Sequence, residues 1–435
     1  MPRVMKSFPK RLLFATALFG CLGLMNPSAS ADTFRVGIVT FLSGQAAESF
    51  GVPAWRGGEV LIEKMNAGEV PAPYNKKGFG GLTIEPIVID EAGGANKQVQ
   101  EFRNLVQRDR VDAVVGYVSS GDCLAVAPVA EELQAFTILY DCGTPRIFED
   151  AKYTYVFRTA AHATQDNVGL VRYLQRHGKS ISSYAGINQD YAWGHDSWRD
   201  FKGAMTQIFP NARGLAEYFP AFGSGQYGTE ISALLRNNAD IVYSSLWGGD
   251  LQAFVLQGAP RGIFRRSQVV FSAADHVLPP LGTNIPEGVI VGSRGAYGYM
   301  APDTELNRWW FKAYQDKWNV IPVQAPYRMA QALLGLKLAV ERAMEANGGV
   351  KPNAKQLADA MRGSSWESPG GLIEMALGNG HQAIQPIAFG RTKHDGNRTI
   401  LTDIVRFDAR CVNPPADMTS TAWIESGFRG HTCDR

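Results

Sequence analysis

The sequence predicts an α/β protein built from two doubly wound units of parallel β-sheet. Apolar, β-branched runs alternate with stretches of helical periodicity from residue 34 onward. This alternation restarts near Asp166, after a first series of four strands. Strands that alternate with helices of ten or more residues indicate βαβ units and therefore parallel sheets. The chain has 435 residues, which is more than one domain usually holds, so two or more domains are expected.

The first unit begins with the apolar run FRVGIVTF, whose β-branched residues favour a strand. Its strands are expected at residues 34–41, 82–90, 111–118 and 137–140, and its helices at 53–66, 96–108 and 124–134. The second unit is expected to contain strands at 183–187, 215–218, 241–246, 269–271 and 288–291, and helices at 166–177, 194–208, 229–237 and 251–258. Later helices are expected at 305–318, 326–347 and 353–361, and later strands at 384–389 and 399–407.

The first 31 residues have the pattern of a secretory signal peptide rather than of a folded element. Four basic residues precede a mostly apolar run at 12–25, which is too short to span a membrane comfortably, and Ala29-Ser30-Ala31 supplies small residues for cleavage. We expect cleavage after Ala31, a chain that begins at Asp32, and a periplasmic location. Lipidation of Cys21 is an alternative, but the preceding bulky Phe19 makes a weak lipobox.

The charge balance argues against nucleic acid and anionic membranes as partners. Removing residues 1–31 takes away four of the 43 basic residues and none of the 41 acidic ones, which leaves 39 against 41. A nearly neutral chain offers no electrostatic attraction for either partner. No later segment has about twenty uninterrupted apolar residues, so no direct membrane insertion is expected. We expect a monomer.

Four cysteines remain after the signal peptide: Cys123, Cys142, Cys411 and Cys433. An even number in an exported chain indicates two disulfides, for which three pairings are possible. We favour Cys123–Cys142 and Cys411–Cys433 because each closes a short loop. A metal site is the competing interpretation, but the chain has no CxxC or HxxxH spacing. No cofactor is expected.

The stretch VDAVVGYVSSGDCLAVAPVAEE places Ser119 and Ser120 where a strand ends and a helix begins. Ligands of open parallel sheets bind beyond the carboxyl ends of the strands. Hydroxyls beside the free N–H groups of a helix N-terminus suit an anion such as a carboxylate. The alternative is that a serine or an aspartate at this junction only caps the helix.

Taken in order, these blocks resemble the type I periplasmic substrate-binding proteins of ABC importers, in the leucine/isoleucine/valine-binding-like family. The resemblance extends from Phe34 to about Asp408. It rests on the order and spacing of FRVGIVTFLSGQAAESFGVPAWRGGEVLIEKMNA, LTIEPIVIDEAGG, VDAVVGYVSSGDCLAVAPVAEE, TILYDCGTP, YVFRTAAHATQDN, INQDYAWGHDSW, ADIVYSSLWGGD and EGVIVGSRGAYG.

The resemblance implies two α/β lobes joined by three crossovers, with a ligand trapped in the cleft by hinge closure. Crossovers near Arg158, Gly292 and Ala376 would give lobe 1 residues 32–158 plus 293–376, and lobe 2 residues 159–292 plus 377–435. The family binds a small molecule without chemistry and delivers it to a membrane permease. The resemblance therefore implies a solute-binding protein, not an enzyme.

The family's ligand residues carry over position by position. Ser119 or Ser120 would receive a ligand carboxylate, and Thr144 would join them from the loop after the fourth strand, where Asp141 and Cys142 depart from the usual small residues. The remaining expected ligand-binding residues are Tyr191, Trp193, Trp247, Phe50 and, as partner of an α-ammonium group, Asp275. The register of Asp275 is shifted by about one residue from the family pattern.

These residue types suit a small amino acid or a related carboxylate with an apolar or aromatic group. Hydroxyls and N–H groups match a carboxylate, and an ammonium group matches a carboxylate or an aromatic face. Asp122 and Asp141 oppose an anion at short range, so the charge of the ligand stays open. Two other functions stay open: a ligand-sensing periplasmic protein that reports to a receptor, and a secreted enzyme. The segment GSGQYG at 223–228 lacks the strand–helix context of a dinucleotide site.

Overall fold

The computed structural model describes residues 33–178 and 180–433. The expected signal peptide, its cleavage site and Cys21 lie outside these residues. The first five strands are β1 Thr33–Thr40, β2 Thr83–Asp90, β3 Ala113–Gly116, β4 Thr137–Leu139 and β5 Val156–Arg158. The next five are β6 Ser183–Ile187, β7 Arg213–Tyr218, β8 Ile241–Ser244, β9 Gln268–Phe271 and β10 Ile290–Gly292. The last five are β11 Ser365–Ser368, β12 Gly371–Leu377, β13 Gln382–Ile384, β14 Ile387–Asp395 and β15 Arg398–Phe407.

The helices lie mostly between successive parallel strands. The first eight are α1 Val52–Ala67, α2 Ala95–Arg103, α3 Ser120–Glu132, α4 Arg146–Glu149, α5 Ala163–Arg176, α6 Ala192–Ile208, α7 Gly228–Asn237 and α8 Gly248–Arg261. The others are α9 Ile263–Arg266, α10 Leu278–Leu281, α11 Glu305–Trp318, α12 Gln324–Ala346, α13 Ala354–Met361, α14 Ala409–Val412 and α15 Ser420–Glu425. Short π-helical turns at Ala47–Gly51 and Asn104–Arg108 adjoin α1 and α2.

The strands form two sheets, which confirms the predicted fold class. One sheet has the order β11-β12-β13-β5-β4-β3-β1-β2, and the other has the order β15-β14-β10-β9-β8-β6-β7. Strands β1 to β5 pair in parallel, as do β6 to β10. The late strands β11, β12, β14 and β15 add antiparallel pairs. We call the first sheet with α1–α4 and α11–α13 the first unit, and the second sheet with α5–α10, α14 and α15 the second unit.

The chain passes between the two sheets three times. It leaves the first sheet after Arg158, returns after Gly292 and leaves again after Ile384. The third change was expected near Ala376, but that residue lies inside β12, because β12 and β13 form a hairpin on the first sheet. Pro386 separates β13 from β14. Proline lacks the N–H group that would continue a strand ladder, so the chain can turn to the other sheet there.

Both expected disulfides are confirmed. Cys123 of α3 is bonded to Cys142 in the loop after β4, and Cys411 of α14 is bonded to Cys433. The first joins two segments of the first unit, and the second closes the C-terminal segment on itself. Among the described residues, every helix falls short of the length and apolar character needed to span a bilayer.

Candidate ligand-binding site between the two units

A small cavity lies between the two units, where the loops after the carboxyl ends of the strands face each other. Its volume is about 20 Å³, which is room for about one water molecule. The first unit contributes Phe50, Val118, Ser120, Asp141, Gly143 and Gln324 to its wall. The second unit contributes Tyr191, Trp193, Trp247 and Ala273, and the loop after β10 contributes Arg294. The two units are therefore closed on each other at this cavity.

The two adjacent serines have different tasks. Ser119 is the N-cap of α3, and its hydroxyl accepts a hydrogen bond from the Asp122 N–H at 3.3 Å. Ser120 lines the cavity and is 1% exposed. Its hydroxyl oxygen accepts hydrogen bonds from the Gly143 and Thr144 N–H groups at 3.1 and 3.2 Å. Ser119 therefore caps the helix, and Ser120 lines the cavity. The sequence left open which of the two serines faces the cavity.

Four aromatic residues contribute to the wall: Phe50, Tyr191, Trp193 and Trp247. The Trp247 ring lies 5.6 Å from Phe50 and 5.4 Å from Phe222, measured between ring centroids. The Trp247 indole N–H donates to the Tyr191 hydroxyl at 2.8 Å. The Trp193 indole N–H donates to the Ser245 carbonyl at 2.9 Å. Because both indole N–H groups already have partners in the protein, these rings offer flat apolar faces to the cavity.

A buried ion-pair network crosses the cavity wall. Arg294 Nη1 lies 2.7 Å from Asp141 Oδ1, and Arg294 Nε lies 2.8 Å from Asp166 Oδ2. The Arg328 guanidinium also contacts Asp141. The four side chains are at most 7% exposed, so their charges are compensated mainly by each other.

Burial shifts the pKa values in this network. It raises the pKa of the Asp166 carboxyl to about 7, although the charge of Arg294 acts in the opposite direction. Burial lowers the pKa of the Arg328 guanidinium to about 9, which still leaves it charged at neutral pH. The Arg294 guanidinium also lies over the Trp193 ring, 4.6 Å from its centroid. Positive charge is therefore held at the cavity, and Asp141 is its nearest counter-charge.

Three hydrogen-bond donors at the cavity each keep a proton that has no acceptor among the described residues. The oxygen of Ser120 accepts two N–H groups and the oxygen of Tyr191 accepts one, but no described residue accepts the hydroxyl proton of either. Arg294 Nη2 carries two protons and makes one hydrogen bond, to the Ala161 carbonyl at 2.6 Å. A group that accepts hydrogen bonds, and an anion above all, would satisfy these donors.

Besides Ser119, two of the expected ligand residues lie outside the cavity wall. The Thr144 hydroxyl donates to Asp196 Oδ2 of the second unit at 2.5 Å, so it joins the units instead. Asp275 is 2% exposed, and its Oδ2 accepts the Gln324 N–H at 3.0 Å, behind the wall. Burial raises the pKa of Asp275 well above its usual range, which favours the neutral carboxyl. Its neighbour His276 packs on Phe50, with ring centroids 5.3 Å apart.

The cavity therefore brings together Phe50, Ser120, Tyr191, Trp193 and Trp247 among the expected residues. Ser119, Thr144 and Asp275 are absent from its wall. Arg294 and Gln324 were not expected at the site, and Asp141 was noted as a departure from the family pattern and as a charge that opposes an anion. Arg294 comes two residues after the end of β10, so the rule that ligands bind beyond strand ends would have selected it.

A profile of the family described as "Periplasmic binding protein" matches residues 33–397. The chain belongs to this family. The expected resemblance to type I periplasmic binding proteins is thereby confirmed. A search of curated proteins finds no match to the chain.

Solved structures of periplasmic binding proteins share the fold. A solute-binding protein of an ABC transporter from Rhodopseudomonas palustris BisB5, in complex with 3,4-dihydroxybenzoic acid, has a TM-score of 0.75 and 22% identity, covering 87% of this chain and 98% of that one. A second solute-binding protein from R. palustris, in complex with benzoate, has a TM-score of 0.73 and 20% identity, covering 86% and 96%. An amino acid ABC transporter substrate-binding protein from Pseudomonas fluorescens Pf-5 has a TM-score of 0.74 and 19% identity, covering 90% and 99%.

Proposed function

We propose that this periplasmic binding protein captures a small aromatic carboxylate between its two units and releases it unaltered to the permease of an ABC importer. In this proposal residues 1–31 direct export and are removed, and the mature chain acts in the periplasm as a monomer. The two units are the lobes of the protein, and they open and close about the three chain crossings.

The donors at the cavity carry this proposal. Ser120, Tyr191 and Arg294 each have a proton without an acceptor among the described residues, and all three belong to one small wall. Hydrogen bonds that involve a charged group contribute about 1.5–3 kcal/mol each, so a carboxylate that met two or three of them would be held firmly. The flat faces of Trp193 and Trp247 favour a planar group on the same ligand.

Among the described residues of the wall, no carboxylate is left unpaired for an ammonium group, which favours a simple acid over an amino acid. Asp275, the expected partner, accepts the Gln324 N–H, and burial raises its pKa, which favours the neutral carboxyl. Asp141 is at the wall, but its Oδ1 already contacts two guanidinium groups. The benzoate and dihydroxybenzoate complexes of proteins with the same fold support this choice.

Binding requires the two units to separate first. Pockets for small ligands usually enclose roughly 300–1,000 Å³, and the present cavity of about 20 Å³ is far smaller. The Thr144–Asp196 hydrogen bond and the contact between the Gly249 N–H and the Gln45 carbonyl, at 3.0 Å, join the units beside it. These contacts would break on opening and form again around a ligand.

An α-amino acid is the second candidate, because Asp141 places a carboxylate in the wall. If a ligand carboxylate drew Arg294 away, Asp141 could accept an ammonium group. Two ligands that differ only in this group decide between the candidates: 3-phenylpropionate and phenylalanine.

The test is calorimetric titration and thermal unfolding of the mature chain with benzoate, 4-hydroxybenzoate, 3-phenylpropionate, phenylalanine and leucine. A cleft ligand at a hundred times its Kd should stabilise the folded state by about 2.7 kcal/mol. We expect the acids to bind and the amino acids not to. Binding of amino acids alone would establish the second candidate, and binding of neither class would refute the proposal. Stimulation of transport by a permease encoded beside this chain would separate import from a sensory role.

A further inference from the structure

The disulfide Cys123–Cys142 lies directly behind the cavity wall. Cys123 is on the first turn of α3, three residues after Ser120, and Cys142 stands between the wall residues Asp141 and Gly143. Both cysteines are 0% exposed. The bond therefore joins the same two segments, α3 and the loop after β4, that together form one side of the cavity.

The same two segments are joined by the hydrogen bonds of Ser120. Its hydroxyl oxygen accepts from the Gly143 and Thr144 N–H groups, which follow Cys142 directly. These two bonds occupy the oxygen and leave the hydroxyl proton for the cavity. If the loop moved away from α3, Ser120 would lose both donors and its proton would no longer be directed. The orientation of this donor thus depends on the spacing that the disulfide sets.

The loop after β4 also positions the other unit. The Asp141 carbonyl and carboxylate both accept from Arg294 Nη1, at 2.9 and 2.7 Å. Gly143 lies so close to the Trp193 ring that a Cβ atom at residue 143 would be 2.3 Å from it. The Cys142 carbonyl accepts from Arg158 Nη1 at 2.8 Å, at the first crossing between the sheets. Displacement of this loop would therefore shift the Trp193 ring and the Arg294 guanidinium as well as Ser120.

We infer that the Cys123–Cys142 disulfide is a positioning element of the ligand site, which sets affinity by fixing the loop after β4 against Ser120. This inference rests on the proposed function. The second disulfide, Cys411–Cys433, packs in a different cluster of the second unit and touches none of the cavity wall. It is therefore a matched control within the same chain.

The test compares the Cys123→Ala/Cys142→Ala and Cys411→Ala/Cys433→Ala chains by calorimetric titration with benzoate, at a temperature where urea unfolding shows both to be folded. We expect the first pair to weaken binding about tenfold, the effect of one oriented hydrogen bond, and the second pair to leave it within about twofold. Combining the first pair with Ser120→Ala should cost less than the sum of the two separate losses, because both changes remove the oriented Ser120 donor. A purely structural disulfide would lower stability and leave affinity unchanged, and its effect would add to that of Ser120→Ala.

If the first alanine pair does not fold, the Cys411→Ala/Cys433→Ala chain is titrated before and after reduction with dithiothreitol, since Cys123–Cys142 is then the remaining disulfide of the described residues. Equal affinity in the two states, with a free-thiol titration showing that the buried bond has been reduced, would overturn the inference. Failure of the unmodified chain to bind any carboxylate would instead refute the proposed function, so the two failures are distinguishable.

Discussion

Arg294 and Asp141 form a buried ion pair between the two units, with 2.7 Å between Nη1 and Oδ1. Arg294 follows the last parallel strand of the second sheet, and Asp141 follows β4 of the first. The pair places a cation at the cavity and gives it a counter-charge from the protein itself. A ligand carboxylate would compete with Asp141 for the same guanidinium.

Replacing Asp141 with asparagine should separate stability from affinity. The free protein should lose about 3 kcal/mol of unfolding free energy, because Arg328 would lose its charged partner and Arg294 would keep only Asp166. Benzoate should bind about tenfold more tightly, because Asp141 would no longer compete with it for Arg294 Nη1 at the cavity wall. Urea unfolding and calorimetric titration measure the two effects. Asp303→Asn, which breaks an exposed pair with Arg308, is the control and should change neither. Weaker benzoate binding in the Asp141 variant would contradict the competition.

The two serines should respond differently to alanine. Ser120→Ala should weaken benzoate binding about tenfold, since it removes a donor at the cavity. Ser119→Ala should leave binding nearly unchanged and lower stability by about 1 kcal/mol, the usual cost of a lost helix cap. Titration and urea unfolding of both variants check this. A larger loss of affinity at Ser119 would show that the assignment of the two residues is reversed.

Trp247→Ala should weaken benzoate binding by about 2 kcal/mol, or roughly thirtyfold, because the ring contributes a wall and also holds the Tyr191 hydroxyl. Trp318→Ala is the matched control, since Trp318 lies at the end of α11 beside Arg56, away from the cavity. It should bind benzoate like the unmodified chain. Equal affinities for both variants would exclude Trp247 from the site.

Thr144→Val should weaken binding without touching the ligand. The change removes the hydrogen bond to Asp196, which favours the closed arrangement of the units. When the closed state is less populated, apparent affinity falls in proportion. We expect a loss of about fivefold for every ligand tested and a larger radius of gyration in small-angle X-ray scattering of the free protein. A loss confined to one ligand class would instead place Thr144 in contact with the ligand.

His276 should make the protein sensitive to acid. Burial lowers its pKa from 6.5 to about 3 in the folded state. Below pH 6.5 the unfolded chain therefore binds a proton that the folded chain does not, and stability falls as pH decreases toward 3. Between pH 6.5 and 5.0 this contributes about 2 kcal/mol.

Urea unfolding at these two pH values should show that difference between the unmodified chain and His276→Gln. The prediction fails if His276→Gln loses as much stability on acidification as the unmodified chain.

Most helices and strands could be predicted from the sequence, because local residue patterns determine them. The range of α11 agrees with its helical periodicity, residue for residue, and β1 and α1 differ from expectation by one residue at each end. The hairpin of β11 and β12 was missed, because β11 has only four residues, three of them polar or charged, and the apolar run of β12 is interrupted by Glu374. Residues 384–389 were expected to form one strand, but the break at Gln385-Pro386 divides them between two sheets.

Only part of the candidate site could be predicted from the sequence, because the site depends on which loops meet in the folded chain. Trp193 and Trp247 could be selected because strand ends and neighbouring glycines marked them. Asp275 could not be excluded from sequence, because only the fold shows that it turns to the Gln324 N–H. The pairing of Arg294 with Asp141 spans 153 residues of sequence, and no local pattern indicates it.

The order of strands in the two sheets also constrains how the chain can fold. The first sheet is completed by β11–β13, and the second is completed by β14 and β15, all of which lie after residue 364. Strand β14 is the partner of β10, and β13 is the partner of β5. Neither sheet can therefore be completed until nearly the entire polypeptide has been synthesised. A chain that stopped short of residue 387 would leave β10 with an unpaired edge, which could associate with another such chain.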